Sequence, residues 1–233
     1  MRGDNGPGSI GRIKMIPVDP FGSRASPPRC LFLGAHCDDI EIGCGGTILK
    51  LVESQPDTHV NWVVFSSGEI REKEARSSAV RFLDGLENYD IEILNFRNSF
   101  FPQVAADIKE HFEKIKKTLE PDVVFTHFRG DLHQDHRTVA ELTWNTFRNH
   151  LILEYEIPKY DGGLGSPNAF VELTSGQIDR KVSILMDEFS SQHGKSWFTE
   201  DTFRALPRLR GIECNAQEGL AESFYCSKFL MSI

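Results

Sequence analysis

From residue 30 onward, short apolar runs alternate with stretches in which apolar residues recur every three or four positions. Residues 30–35, 60–66, 91–96 and 122–126 are compact runs of strand length. Helical spacing fills the gaps between them. Residues 42–53 put Ile48, Leu49 and Val52 on one face, and residues 71–86 do the same with Ala75, Ala79, Phe82 and Leu83. Residues 103–119 carry Ile108, Phe112, Ile115 and Leu119, Pro121 ends that helix, and residues 136–150 form another. Strands that are apolar without alternation are covered on both faces. The pattern therefore predicts a Rossmann-like α/β fold in a single domain, a mostly parallel sheet with helices on both faces.

The last third is less regular. Residues 155–158 and 169–173 read as strands, 177–189 as a helix capped by Ser175 or Thr174, and 221–230 as a final strand. No element is assigned between residues 190 and 220. The first 29 residues are rich in Gly, Pro and Arg and read as a loose arm or strap, within which residues 10–18 have enough apolar side chains to pack locally. The domain proper is expected over 30–233.

Composition narrows the function. With 233 residues, 39% hydrophobic and 26% charged, the chain suits one soluble domain. A formal net charge of −8 repels phosphate backbones and argues against a general nucleic-acid binder. No apolar run approaches the roughly 18 residues of a membrane span, so membrane insertion is not expected. Five cysteines, no CxxC pair and no visible signal peptide favour a reduced, cytoplasmic setting. The sequence leaves open whether the chain forms a homo-oligomer.

In parallel sheets ligands sit beyond the carboxyl ends of the strands, which directs attention to the loops after Ala35, Ser66 and Thr126. The first loop holds His36, Asp38, Asp39 and Glu41 within six residues. Carboxylates this dense repel one another unless a cation or solvent intervenes. A purely structural reading makes Asp38 or Asp39 a helix cap and lets Glu41 favour the helix dipole. The run Gly43-Cys44-Gly45-Gly46 is a poor phosphate loop, because the preceding carboxylates repel phosphate; its glycines are better explained by close helix–sheet packing. The third loop holds His127, Asp131, His133, Asp135 and His136. His133 and Asp135 are spaced for a dyad in which the carboxylate orients the ring and favours its imidazolium. His136 would complete a metal site begun by His36 and Asp39, with three protein ligands and one position left for water, as in catalytic zinc.

At these residues the sequence resembles the LmbE-like, or PIG-L, family of zinc-dependent N-acetylglucosaminide deacetylases. The family pattern AHPDDxExxxGG stands here as Ala35-His36-Cys37-Asp38-Asp39-Ile40-Glu41 followed by Gly45-Gly46, and HxDH as His133-Gln134-Asp135-His136. The resemblance implies zinc, or another divalent metal, held by His36, Asp39 and His136. It implies Asp38 as general base, and His133 held by Asp135 as oxyanion stabiliser. Arg71 aligns with a substrate contact, and Glu41 and Asp131 are further substrate-side candidates. The implied reaction is removal of acetyl from an amino-sugar conjugate. Cys37 departs from the pattern: it replaces the proline and brings a soft donor beside the site. The sequence does not name the substrate, but residues 162–167 and 194–199, with Trp197 and Phe198, are where a sugar would be lined. Two other classes compete. A metal-dependent phosphoesterase would recruit Glu41 and Asp131 as ligands of a second metal. A non-catalytic metal- or nucleotide-binding domain would bind without turnover.

Overall fold

The computed structural model describes residues 15–22 and 26–231. Among them are the strands β1 (Arg29–Gly34), β2 (His59–Val64), β3 (Asn88–Ile93), β4 (Val123–His127), β5 (Leu151–Tyr155), β6 (Ala169–Glu172) and β7 (Ala221–Tyr225). They form one sheet in the order β3-β2-β1-β4-β5-β7-β6. The first five run parallel to one another, and β7 runs antiparallel to both β5 and β6. The helices are α1 (Asp39–Ser54), α2 (Glu69–Phe82), α3 (Ala105–Thr118), α4 (Gln134–Thr146), α5 (Ser175–Glu188) and α6 (Glu200–Glu213).

Strand periodicity sorts the core into two layers. Phe32, Trp62 and Phe125 point to the face covered by α1, α2 and α5, where Phe82, Leu185 and Phe224 meet them. Leu31, Leu33, Val63 and Val124 point to the other face, against Ile108, Phe112 and Val139 of α3 and α4. Each fully buried side chain of this size contributes roughly 1.5–3 kcal/mol, so burial on both faces fixes the register. The mostly parallel, doubly covered sheet matches the alternation along the chain. Of the expected arm, residues 15–22 and 26–28 contain no helix or strand, Arg29 begins β1, and Phe21 rests against the first layer. Residues 1–14 and 23–25, most of that arm, lie outside the described residues.

Three expectations need adjustment. Helix α6 occupies a region where none was expected. Its periodicity is masked by Pro207 and Gly211, yet Thr199 caps it by accepting from Thr202 N–H, and Phe203, Pro207 and Arg210 form its buried stripe. The strand expected at 155–158 is β5, which begins at Leu151 because α4 stops at Thr146. The final strand ends at Tyr225 rather than extending to 230.

The glycine run lies inside α1, which is kinked at Cys44 (φ −145°, ψ 18°). A Cβ on Gly43 would stand 2.2 Å from Tyr155 Cδ2, so only glycine lets α1 lie this close to β5. Beyond the kink, the N–H groups of Gly46 and Thr47 donate to Glu222 of β7 at 2.8 and 2.7 Å. Lys181 of α5 donates to the same carboxylate at 2.6 Å and to Ile42 O at 2.7 Å. The anion that a glycine-rich turn favours is therefore the protein's own Glu222, which removes the basis for a phosphate site there. No helix among the described residues is long and apolar enough to cross a membrane.

Candidate metal centre

β1 and β4 are adjacent and parallel, with Cys30 opposite Val123 and Phe32 opposite Phe125. From β1 the chain proceeds to β2 and β3 on one side, and from β4 to β5 on the other. This is the switch point of the sheet, where the loops diverge and leave a crevice. The loop after β1 and the loop after β4, about ninety residues apart in sequence, face each other across it.

His36 and His136 are the centre of the arrangement. His36 Nδ1 lies 3.2 Å from His136 Nε2 and 3.3 Å from Asp39 Oδ2, and His136 Nε2 lies 3.5 Å from Asp39 Oδ1. Each ring has a carboxylate on its other nitrogen. Asp135 Oδ2 is 3.2 Å from His36 Nε2, and Asp131 Oδ2 is 3.0 Å from His136 Nδ1. These partners assign the tautomers: the outer nitrogens donate, and the inner ones present lone pairs to each other and to Asp39. Lone pairs at this separation repel unless a proton or a metal cation lies between them. With a proton, burial opposes charge on His36, but Asp39 and Asp135 outweigh it and raise its pKa to about 9. His136, fully buried and beside His127, is lowered to about 3. Asp39, despite burial, is held well below the usual carboxylate range by His136, His127 and His36.

Charge and donor type both fit a divalent cation. Asp38 is paired with Arg71 and Asp131 with Lys159, whereas Asp39 and Asp135 have only His rings and backbone N–H groups. Among the described residues, no side-chain ammonium or guanidinium contacts either of these two carboxylates. Two imidazole nitrogens and one carboxylate are a donor set that zinc accepts. Two overlapping donor triplets converge within 4.8 Å: His36 with His133 and His136, and Asp39 with His127 and His136. The sequence-predicted set of His36, Asp39 and His136 spans both.

The remaining predicted residues are distributed unevenly. Asp38 stands at the N-cap position of α1 but makes no capping bond; its Oδ1 is 2.8 Å from Arg71 Nη2. Arg71 is thus beside the site, in contact with Asp38. Glu41 is fully buried, neither oxygen has a hydrogen-bond partner, and burial raises its pKa well above the usual range. It has no surface to offer a substrate, so the substrate-side expectation for Glu41 is corrected. Asp131 is engaged by His136 and Lys159. Neither carboxylate is free to build the second metal position of a phosphoesterase. Cys37 turns its Sγ to Ser66 O at 3.3 Å, and burial pushes its thiol up to about 12, so it is no donor to the centre. Phe198 is core, 2% exposed, whereas Trp197 packs partly buried against it.

The His133–Asp135 dyad does not form. His133 caps α4, its Nδ1 accepting from the backbone N–H of Asp135 at 3.2 Å. The Asp135 carboxylate points elsewhere, to His36 and to the N–H groups of Ser99 and Phe101 at 2.6 and 3.1 Å. Residues two apart at a helix start project in different directions. Burial and the nearby His36 lower the pKa of His133, leaving it neutral with Nε2–H as a donor.

The sequence reading named His127 without giving it a role, and it passed over Lys159 and Ser99. His127 at the end of β4 is fully buried, accepts from Ala35 N–H at 2.9 Å and stacks on His136 with centroids 3.9 Å apart. Lys159 follows β5, the next strand along the same edge, so the carboxyl-end rule extended by one strand finds it. Ser99 adopts φ 65°, a left-handed conformation that turns its N–H onto Asp135.

The sequence matches the PIG-L family, GlcNAc-PI de-N-acetylase, over residues 31–147. It is 30% identical over 139 residues to the uncharacterized deacetylase YaiS of Escherichia coli (strain K12), spanning 55% of this chain and 73% of that protein. Among solved structures, the N,N'-diacetylchitobiose deacetylase from Pyrococcus horikoshii is similar at TM-score 0.61 and 22% identity, over 89% of this chain and 85% of that one. GalB, the 4-carboxy-2-hydroxymuconate hydratase from Pseudomonas putida KT2440, is similar at TM-score 0.67 and 13% identity, over 88% of this chain and 98% of that one. The fold thus carries more than one chemistry, and the residues at the site must discriminate.

Proposed function

Because the chain belongs to the PIG-L family of de-N-acetylases, we propose that it is a zinc-dependent hydrolase releasing acetate from an N-acetylglucosamine-type amino-sugar conjugate. One observation carries the reading. The two inner imidazole nitrogens and Asp39 face one another, and an ionisable carboxylate, Asp38, stands in the same loop without entering that set. Ligands and base are thereby separated, which hydrolysis of an unactivated amide requires.

His36, Asp39 and His136 would hold the cation, which when bound supplies Lewis acidity toward the acetyl carbonyl and makes water a better nucleophile. Asp38 accepts the proton of the attacking water and returns it to the departing amine. Arg71 holds that carboxylate in place through its Nη2. His133, with Nδ1 occupied by the Asp135 N–H, offers Nε2–H to the developing oxyanion. The neutral ring suffices for this, so no imidazolium is needed.

The test combines metal analysis with acetate release from a panel of N-acetylglucosamine conjugates, for wild type and His136→Ala. About one zinc per chain and acetate release in the wild type, both lost in the variant, is the expected result. Absence of zinc uptake together with absence of release would overturn the reading. Hydrolysis of nitrophenyl phosphate in place of the amides would move the chain to the phosphoesterases.

A further inference from the structure

Each ligand ring depends on a carboxylate, and each carboxylate depends on something behind it. Asp135, behind His36, is fixed by two backbone N–H groups, those of Ser99 and Phe101. Asp131, behind His136, receives a single backbone N–H, from His133 to Oδ1 at 2.7 Å. Its other oxygen, Oδ2, takes both His136 Nδ1 at 3.0 Å and Lys159 Nζ at 2.5 Å. Lys159 is anchored in turn by Ile157 O at 3.1 Å. The side chains of Lys159 and Asp131 are 11% and 3% exposed, so this ion pair lies inside the protein rather than on its surface.

Resting on the metal-dependent reading above, we propose that Lys159 is a positioning residue of the metal centre, holding the Asp131 carboxylate that aims His136. The ammonium and the ring share one oxygen, so the carboxylate cannot rotate about its Cβ–Cγ bond without losing both. Removing the ammonium leaves a buried carboxylate with too few donors. Such a group pivots toward any available donor, and the ring bonded to it follows. Partners of this kind behind a metal ligand govern affinity for the metal more than affinity for the substrate. The ordered lysine, which forgoes considerable rotamer freedom, is accounted for by this role. Lys159 need not touch the reacting atoms.

The experiment compares wild type, Lys159→Met and Lys159→Arg. Zinc affinity is read by competition with a chromophoric chelator, the thermal midpoint is read on metal-free protein, and kcat and KM are read at saturating zinc. Lys159→Met should bind zinc about 10–100-fold more weakly. Its metal-free midpoint should fall, as loss of one partner of a buried pair requires, its KM should change little, and Lys159→Arg should recover the midpoint and part of the affinity. If the Met variant does not fold, Lys159→Gln, which retains donors without the charge, carries the same expectation. Unchanged zinc affinity with a raised KM would make Lys159 a substrate contact and overturn the inference. So would a lowered metal-free midpoint with zinc affinity unchanged, which would mark a purely structural ion pair. Wild-type protein that takes up no zinc would overturn the metal-dependent reading itself, whereas equal uptake by wild type and variants overturns only the role of Lys159.

Discussion

Asp38 and Asp39 are adjacent in sequence and have opposite surroundings. Both are buried, but Asp39 lies among three imidazoles while Asp38 pairs with a guanidinium. The α1 N-terminus produces this division, because consecutive residues at a helix start project to different sides. As the proposed base, Asp38 must stay clear of the metal donors, and Arg71 holds its carboxylate at 2.8 Å. Asp38→Asn removes the proton acceptor while keeping the shape. We expect kcat to fall by about 10²–10⁴-fold with zinc content unchanged. Single-turnover acetate release alongside metal analysis checks this; normal turnover would assign the base elsewhere. The same scale explains why His133 and Asp135 part company. Spacing in sequence brings two residues near each other, but the backbone direction at an N-cap decides which way each faces.

Among elements, α1 carries the greatest constraint. It must present Asp39 at the crevice, pass close over Tyr155, and receive Glu222 from β7 at its kink. Tyr155 Oη in turn donates to Leu33 O at 2.6 Å, tying β5 to β1 beneath the site. Gly43→Ala would drive a methyl group into the Tyr155 ring, at 2.2 Å from Cδ2. Overpacking of this kind costs about 1–3 kcal/mol. Urea denaturation should show a lower midpoint with an unchanged slope, and an unshifted midpoint would mean that α1 moves freely over β5. The Lys181–Glu222 pair serves the same helix from the opposite side. Both side chains are nearly buried, and the pair links α5, α1 and β7.

At the scale of the whole molecule, the site exists because the strand order reverses between β1 and β4. The proposed ligands come from both loops, so a bound cation would join two segments remote in sequence and should stabilise the folded chain. At free zinc one hundred times the dissociation constant the gain is about 2.7 kcal/mol. For a chain of this size that corresponds to about 5–11 °C, at about 2–4 °C per kcal/mol. Thermal unfolding with zinc and after chelation should differ by that amount, and the difference should vanish in His136→Ala. A midpoint indifferent to chelation in the wild type would mean that the two loops do not share a cation.

The sequence alone determined the α/β alternation, the parallel core and the two chemical loops, because these depend on local periodicity and on which residues end a strand. It located His36, Asp39 and His136 by type and spacing, and it supplied the family through its motifs. Tertiary structure alone decided which nitrogen meets which carboxylate. Asp135 serves His36, Asp131 serves His136, and Lys159 arrives from the next strand. Helix α6 was likewise a tertiary product, since Pro207 and Gly211 are favourable only where β7 and its neighbouring turn receive them. Sequence periodicity reports which side of an element is buried. Side-chain pairing across loops depends on the register between strands and on backbone direction at helix ends, and neither is written in local sequence.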